Sequence, residues 1–343
     1  MKQWNKSRRR ALTVIAGIGA GFLMPGAVCA TPLRRYEWRG TALGAEASII
    51  LYHADHKEAE HAVRRAVLEI ERLESEFSLY RAESALCRLN RNGFLDAPSL
   101  DMVRLLSECR RFGDLSDGAF DASVQPLWRL YADHFAGHPG DGSGPPRTAV
   151  EAARLLVDYR RVDIREGRIV LGRGMEITLN GIAQGYITDR VVDLLRRHGW
   201  SNVLVNLGEL RALDGRGNGN PWVVMLDGAL AGSDGAGGTL TVPLDNRAMA
   251  TSAGSGTRFD SSGRHHHLFD PASGDSPGHY RAVSVSAPDA TTADALSTAI
   301  FTAPPARAAS MMTRAASMIT RAGRADVAAW LTDAGGRTKF LKG

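Results

Sequence analysis

Asp294 and Thr298 are the two side chains whose types and spacing most directly suggest chemistry. They stand four residues apart in a segment, Asp294–Phe301, that is predicted to start a helix. Side chains four residues apart lie on one face of a helix, and a carboxylate and a hydroxyl are hard oxygen ligands that suit Mg²⁺. A helix whose polar face merely carries an aspartate cap and a threonine would show the same spacing.

Three consecutive histidines form a second candidate, in the stretch RHHHLFDPASG, Arg264–Gly274. A metal cluster, a solvated loop and part of a catalytic pocket are all compatible with it. A metal site made of all three is disfavoured, because neighbouring side chains in an extended chain point to opposite faces. Pro271 would hold the residue before it, Asp270, in an extended conformation.

The segment TLNGIAQGY, Thr178–Tyr186, combines two glycines with a predicted helix start. Glycine lets the backbone approach a ligand closely, and a helix N-terminus favours an anion such as pyrophosphate. A plain connection between a strand and a helix would look the same. The known nucleotide motifs do not help: the sequence has no G-x-x-x-x-G-K-[ST], and no helix follows the alternating glycines at 215–219.

The segments that must position these residues show the apolar spacing of helices in some places and that of strands in others. Helices are predicted for His56–Glu76, for Ser99–Phe112, for Thr148–Tyr159 behind a capping box of Thr148 and Glu151, and after the Gly185 turn up to Gly199. Strands are predicted for Glu37–Tyr52, for a hairpin at 162–171 that turns at Glu166-Gly167, and for a short segment just before Gly181. Further strands are predicted at NVLVNLG, WVVML, GTLTVPL and RAVSVSA. Because the strands form hairpins as well as alternating with helices, the sequence predicts one α+β domain after residue 30, with mixed, largely antiparallel sheets.

The basic charge of the chain belongs to its first thirty residues. The 343 residues carry a net charge of +5, and residues 1–30 hold five basic and no acidic side chains, which leaves 37 of each in the rest. A neutral remainder gives no electrostatic reason to expect a nucleic-acid partner.

The same thirty residues resemble an export signal. A basic head precedes an uncharged run rich in glycine and alanine, and small residues stand at the positions that favour cleavage after Ala30. The paired arginines of SRRRAL, Ser7–Leu12, are typical of the Tat route. A Sec signal or an uncleaved anchor is the alternative, and Val28 is bulky for a lipid attachment at Cys29. We therefore expect a periplasmic protein.

Only Cys87 and Cys109 remain after that cleavage. The periplasm permits a disulfide, but both residues lie in predicted helices with apolar neighbours. This setting favours two buried free thiols.

Four segments taken in order resemble the ApbE family, the FAD:protein FMN transferases. They are FSLYRAESALCRLN (Phe77–Asn90), DGAFDASVQPLWRLY (Asp117–Tyr131), Thr178–Leu210 with GIAQGY, and Ala250–Thr302 with HLFDPASG and DALSTA. The resemblance covers nearly the whole chain after residue 30 and implies a single ApbE-like domain.

The resemblance also implies a Mg²⁺ site and a base. The metal ligands would be Asp294, Thr298 and the backbone carbonyl of Gly181, with Ser297 as a further candidate. Mg²⁺ would bridge the pyrophosphate of FAD and neutralise charge as it breaks. His267 would act as general base or hold the phosphate, with Asp270 beside it in the catalytic segment.

FAD contacts follow from the resemblance in the same way. They would be made by Leu43, Tyr80, Ala119, Phe120, Asp121, Thr178, Gln184 and Leu268. Core packing is the alternative for Leu43 and Phe120. The family often has lysine where Gln184 stands and usually aspartate where Thr178 stands, so these two contacts carry no charge here.

Three functions are compatible with this set of residues. The first is Mg²⁺-dependent transfer of FMN from FAD to a threonine of a target protein, which releases AMP and leaves a phosphoester. The second is an FAD pyrophosphatase that gives FMN and AMP, and the third is a non-enzymatic FAD-binding periplasmic protein. No Asp-Gly pair of this chain has a threonine two residues after the glycine. The acceptor would therefore be another protein, a periplasmic or membrane-attached redox protein with a D-G-x-T-type motif.

Overall fold

The computed structural model describes residues 32–226, 240–321 and 327–343, together with the backbone of a short strand at Leu12–Val14. Its helices are α1 (His56–Phe77), α2 (Ala85–Asn92), α3 (Leu100–Leu115), α4 (Gln125–Gly137), α5 (Arg147–Arg154), α6 (Ala183–Arg197), α7 (Ala290–Thr302) and α8 (Ala308–Arg321). Its strands are β1 (Leu12–Val14), β2 (Arg34–Ala42), β3 (Ala45–His53), β4 (Phe94–Asp96), β5 (Asp163–Arg165), β6 (Arg168–Val170), β7 (Val203–Asn206), β8 (Leu210–Leu213), β9 (Trp222–Leu226), β10 (Leu240–Leu244), β11 (Ala248–Ala253), β12 (Tyr280–Ala287), β13 (Ala328–Asp333) and β14 (Thr338–Lys342).

An eight-stranded antiparallel sheet forms the centre of the described structure, in the order β14-β13-β12-β11-β8-β7-β3-β2. Two smaller antiparallel sheets have the orders β1-β9-β10 and β4-β6-β5. These sheets, with helices packed against them, confirm the α+β prediction. Within the described ranges, no helix combines the length and the apolar character needed to span a bilayer.

Helix α7 is the buried centre of the helical layer. It packs on β11 and β12 and against α6, and α6 in turn packs against α1. Every residue of α7 except Thr298 is buried. Thr298 is thus the most exposed polar side chain of this helix.

The contact between α6 and α7 is unusually close because Gly185 lies at the crossing. A Cβ added to Gly185 would stand 2.2 Å from the carbonyl oxygen of Ala290 and 2.9 Å from the Cβ of Asp294. Four residues further along α6, the carboxylate of Asp189 accepts the backbone N–H groups of Ala290 and Thr291, both at 2.8 Å. Asp189 thus satisfies the free N–H groups at the start of α7 and fixes its position on α6.

A buried ion pair completes this joint. Arg211 of β8 donates to Asp189 Oδ1 at 2.6 Å, and both residues are 8% exposed. Breaking a buried pair leaves an uncompensated charge, which costs far more than a surface pair contributes. The central sheet is therefore tied to both helices through one carboxylate.

The single strand predicted for Glu37–Tyr52 is wrong, because the segment is a hairpin. Ala42 of β2 pairs with Ala45 of β3, and the two residues between them, Leu43 and Gly44, have φ of 48° and 74°. Two positive φ values are typical of the tight turn that matches the twist of adjacent strands. A leucine in this conformation is uncommon, which is why the turn left no sequence signal.

Two further local predictions are wrong. Helix α5 ends at Arg154, and its N-terminus at Pro146 has no side-chain cap, so Thr148 and Glu151 do not form the predicted capping box. The backbone just before Gly181 is irregular rather than a strand. The glycine-rich segment at 228–238 and most of the predicted leader, residues 1–30, lie outside the described residues.

Several other elements agree with their predictions, whereas elements such as α4, β8 and β11 were not predicted. Helix α1 buries the apolar face predicted from its spacing, α6 is followed by Gly199 with a φ of 78°, and the β5–β6 hairpin turns where predicted. Cys87 and Cys109 are free thiols in α2 and α3, although only Cys109 is fully buried. Burial raises the pKa of the Cys109 thiol, which keeps it protonated and unreactive.

Replacing Gly185 with alanine tests the close crossing of α6 and α7. The added methyl group would overlap the Ala290 carbonyl, so we expect the free energy of unfolding to fall by about 3 kcal/mol or more. Gly137→Ala is the matched control, because no atom lies within 4 Å of its added Cβ. Urea denaturation of both variants measures the difference; equal stabilities would contradict the described packing.

Candidate active site

Several side-chain oxygen atoms lie close together around Thr298, the half-buried residue of α7. Thr298 Oγ1 lies 3.2 Å from Ser252 Oγ, and Ser252 Oγ lies 2.9 Å from Ser297 Oγ. One turn earlier on α7, the carboxylate of Asp294 is 1% exposed and accepts the backbone N–H of Gly185 at 3.0 Å. The predicted face of Asp294 and Thr298 therefore exists, and Ser252 of β11 extends it.

The backbone before α6 closes on the same spot. A Cβ added to Gly181 would stand 3.1 Å from Thr298 Oγ1, so the Gly181 backbone lies close to the Thr298 side chain. One buried carboxylate, hydroxyl groups and a nearby main chain form an oxygen donor set of the kind that Mg²⁺ prefers. Within the described ranges, no three His, Cys, Asp or Glu side chains cluster as metal ligands.

The three histidines enter three different environments. Residues 257–259 pair with 265–267: Phe259 donates its backbone N–H to the His265 carbonyl at 2.8 Å, and His267 donates to that of Thr257 at 3.1 Å. The His265 ring packs against Tyr131, 5.7 Å between ring centroids, while the His266 ring packs against Phe301 at 5.6 Å. Alternation along this short ladder disperses the rings, as expected from the sequence.

His266 is held as a neutral ring. Its Nε2 lies 3.1 Å from the Pro277 carbonyl, which can only accept, and its Nδ1 accepts the backbone N–H of Leu268 at 3.3 Å. Burial lowers the pKa of His266 to about 4. The His266 ring therefore links Leu268, which directly follows His267, to Pro277.

His267 is the histidine that faces open space. It lines two adjoining pockets, and both also have Trp128 and Asn180 in their walls. The first pocket lies between the Leu43 turn, the end of α1 and the start of α6. The second lies between 119–124, the Gly181 turn and α7. His267 thus stands at the junction of the two pockets.

Most of the predicted site residues line these pockets. The first contains Leu43, Tyr80, Gln184 and His267, and the second contains Ala119, Phe120, Asp121, Thr178, Gly181, His267, Leu268 and Thr298. These predicted residues come from six separate parts of the chain and are brought to one cleft.

Three predicted residues do not line either pocket in the described structure. Asp294 and Ser297 lie beneath the wall, at 1% and 0% exposure. Asp270 lies in the turn after His267, where its Oδ1 accepts the backbone N–H of Ala272 at 3.0 Å. Its described contacts are those of a residue that shapes the loop.

Asp121 has a structural task within the second pocket. Its carboxylate accepts the backbone N–H of Ser123 at 2.7 Å and that of Tyr159 at 3.0 Å. Burial nevertheless raises its pKa. Asp121 therefore joins the pocket wall to the segment at 158–159.

Comparison with known proteins shows which family this chain belongs to. The model of the ApbE family matches residues 43–320. The chain belongs to the ApbE family. The FAD:protein FMN transferase of Haemophilus influenzae is 28% identical over 66% of this chain and 68% of its own length. That of Klebsiella pneumoniae is 29% identical over 70% and 73%.

Solved structures of the family agree with the fold. The flavin transferase ApbE from Vibrio cholerae has a TM-score of 0.72 at 22% identity and is covered over 97% of its length by 91% of this chain. The flavinyl transferase ApbE of Pseudomonas stutzeri has a TM-score of 0.70 at 26% identity, and the match covers 91% of this chain and 94% of that one. The ApbE resemblance inferred from the sequence motifs is thereby confirmed.

Trp128 and Asn180 are cleft residues that the sequence analysis missed. Both lie within the motifs that identify the ApbE family, yet neither is a titratable group or a metal ligand of obvious type. Ser252 was not assigned a role from the sequence, although its Oγ contacts both Ser297 and Thr298. The positions of Trp128 and Asn180 in the cleft become visible only in the folded chain, where each lines a pocket together with residues that are distant in the sequence.

Acidification tests the buried state of His266. An unfolded histidine titrates near pH 6.5, whereas the folded pKa is about 4. Between these pH values the unfolded chain binds a proton that the folded chain excludes. The free energy of unfolding should therefore decrease, by up to about 3 kcal/mol, as the pH is lowered from 6.5 towards 4. His266→Asn should flatten that slope between pH 6.5 and 4.5 in urea titrations, while the exposed His279→Asn should not. Identical slopes in the two variants would contradict the assignment.

Proposed function

We propose that this chain transfers FMN from FAD to a threonine hydroxyl of another protein and releases AMP. Membership of the ApbE family and relatives named FAD:protein FMN transferase support the reaction. The observation that carries it is the junction of the two pockets, where His267 stands within one cleft with Thr298 and Gly181. A base and a set of oxygen ligands face the same space.

Asp294, Thr298 and the carbonyl of Gly181 would hold a Mg²⁺ ion, with Ser297 beside them. The ion supplies positive charge against the pyrophosphate of FAD. Ser252 would orient the hydroxyl of Thr298 through their 3.2 Å contact. The N–H of Gly185 would hold the Asp294 carboxylate in place through its hydrogen bond.

FAD would lie along the two pockets. Leu43, Tyr80 and Gln184 belong to the first pocket, and Phe120, Thr178 and Leu268 to the second. Tyr80, 60% exposed, offers an aromatic face for a flat ring. Gln184 donates to the Leu207 carbonyl at 3.2 Å, so it contributes a polar but uncharged wall.

His267 would remove the proton of the acceptor hydroxyl. Its Nδ1 lies 3.2 Å from the carbonyl of Thr257, so in the neutral ring Nδ1 carries the hydrogen and Nε2 the lone pair. The acceptor oxygen forms a bond to the FMN phosphorus, the bond to the AMP oxygen breaks, and the hydroxyl proton passes to Nε2. Asp270 would contribute by fixing the turn that follows.

We further propose that the reaction takes place in the periplasm. The basic head with its paired arginines and the small residues before the predicted cleavage after Ala30 support export. The acceptor would be a periplasmic or membrane-attached redox protein with a D-G-x-T-type motif.

The mass of the acceptor protein tests the proposed function. The purified chain, FAD, Mg²⁺ and an acceptor with that motif should give an acceptor heavier by FMN less water, and EDTA should abolish the gain. Free FMN and AMP with an unmodified acceptor would favour an FAD pyrophosphatase. Intact bound FAD would favour a non-enzymatic flavin carrier.

Removing one charge from α7 tests the metal ligands. Asp294→Asn keeps the shape of the side chain but loses the charge, so we expect transfer to fall by about a hundredfold or more. Asp289→Asn is the control, because asparagine also caps a helix N-terminus. Initial rates of acceptor flavinylation measure both variants. Similar rates for the two would argue against Asp294 as a ligand.

A further inference from the structure

A third depression adjoins the two pockets on the side away from α7. This side groove is lined by Leu79, Tyr80, Trp128 and Asn180, which it shares with the first pocket, and by Cys87, Asn90, Arg91, Gln125, Arg129 and Glu176. Its free volume is about 1020 Å³, against about 660 and 620 Å³ for the two pockets. The groove therefore shares part of its wall with the first pocket, which His267 also lines.

The rim of the side groove carries an excess of positive charge. Arg91 and Arg129 are exposed, while Glu176 is the one carboxylate among the lining residues. Glu176 already pairs with Arg129 at 2.6 Å. Arg91 makes no ion pair within the described part of the chain, and its hydrogen bond to the Ala82 carbonyl is long, 3.5 Å. A negative group in the groove would therefore find in Arg91 a positive charge that no ion pair in the described ranges offsets.

The floor of the groove is fixed to the active site. Asn90 of α2 accepts the backbone N–H of Ile177 at 2.7 Å and donates to its carbonyl at 2.8 Å. Ile177 directly precedes the Thr178–Gly181 segment of the second pocket. A ligand held by α2 is thereby kept in register with the place where the acceptor hydroxyl must arrive.

We propose that the side groove binds the segment of the acceptor protein that flanks the receiving threonine, with Arg91 against an acidic side chain of that segment. This inference rests on the proposed transferase function. The groove suits a peptide better than the flavin nucleotide, because neither His267 nor any residue of α7 lines it. An extended segment in the groove reaches His267 by passing Trp128, which all three spaces share.

Charge reversal on α2 provides the test. Arg91→Glu is compared with Arg88→Glu, a control on the same helix whose exposed side chain does not line the groove. The probe is a purified acceptor domain with one D-G-x-T-type motif, and its Kd for the full FAD-free chain is measured by biolayer interferometry. The Kd for FAD is measured separately by flavin fluorescence.

We expect Arg91→Glu to weaken acceptor binding by about fivefold or more, with the Kd for FAD unchanged. Replacing the motif aspartate of the acceptor with lysine should restore binding to Arg91→Glu. An unchanged acceptor Kd, or an equal loss in Arg88→Glu, would overturn the proposal. A loss of FAD affinity alone would assign the groove to the nucleotide. Because binding is measured without turnover, a wild-type chain that binds the acceptor but transfers no FMN would refute the function and leave the groove intact.

Discussion

The close contact between α6 and α7 is the constraint on which the site depends. Because Gly185 has no side chain, α6 lies directly against the Ala290 carbonyl and the Asp294 side chain of α7. Asp189 accepts the N–H groups at the start of α7. Without that contact, Asp294 would lose the N–H that holds its carboxylate. The Gly181 backbone would also separate from Thr298. A buried joint of two helices thus sets the spacing of every proposed metal ligand.

Loops from the sheets complete the cleft around this joint. The β2–β3 turn extends Leu43 into the first pocket, and the ladder that ends at His267 brings an imidazole to the junction. The neutral, buried His266 supports that ladder from behind. The rigid helices therefore carry the proposed ligands, while shorter segments carry the groups that contact the organic substrate.

Strong periodicity made helices such as α1 and α3 and strands such as β7, β9 and β12 predictable, since the spacing of apolar residues reveals a buried face. Elements such as α4, β8 and β11 were not predicted. The Leu43 turn was not predictable, because a leucine at positive φ gives no local signal. The proposed metal ligands were suggested by family motifs, but the contacts that position them, such as Asp189 with α7, join residues about a hundred positions apart. Trp128 was missed for the same reason: its importance arises only where three spaces meet.

An anomalous difference map from crystals grown with FAD and Mn²⁺, used in place of Mg²⁺, would show whether α7 holds the metal ion. We expect a peak beside Asp294, Thr298 and the Gly181 carbonyl. A peak at the histidines of 265–267, or at a carboxylate away from α7, would contradict it. The same map would show which of the three adjoining spaces the flavin nucleotide occupies.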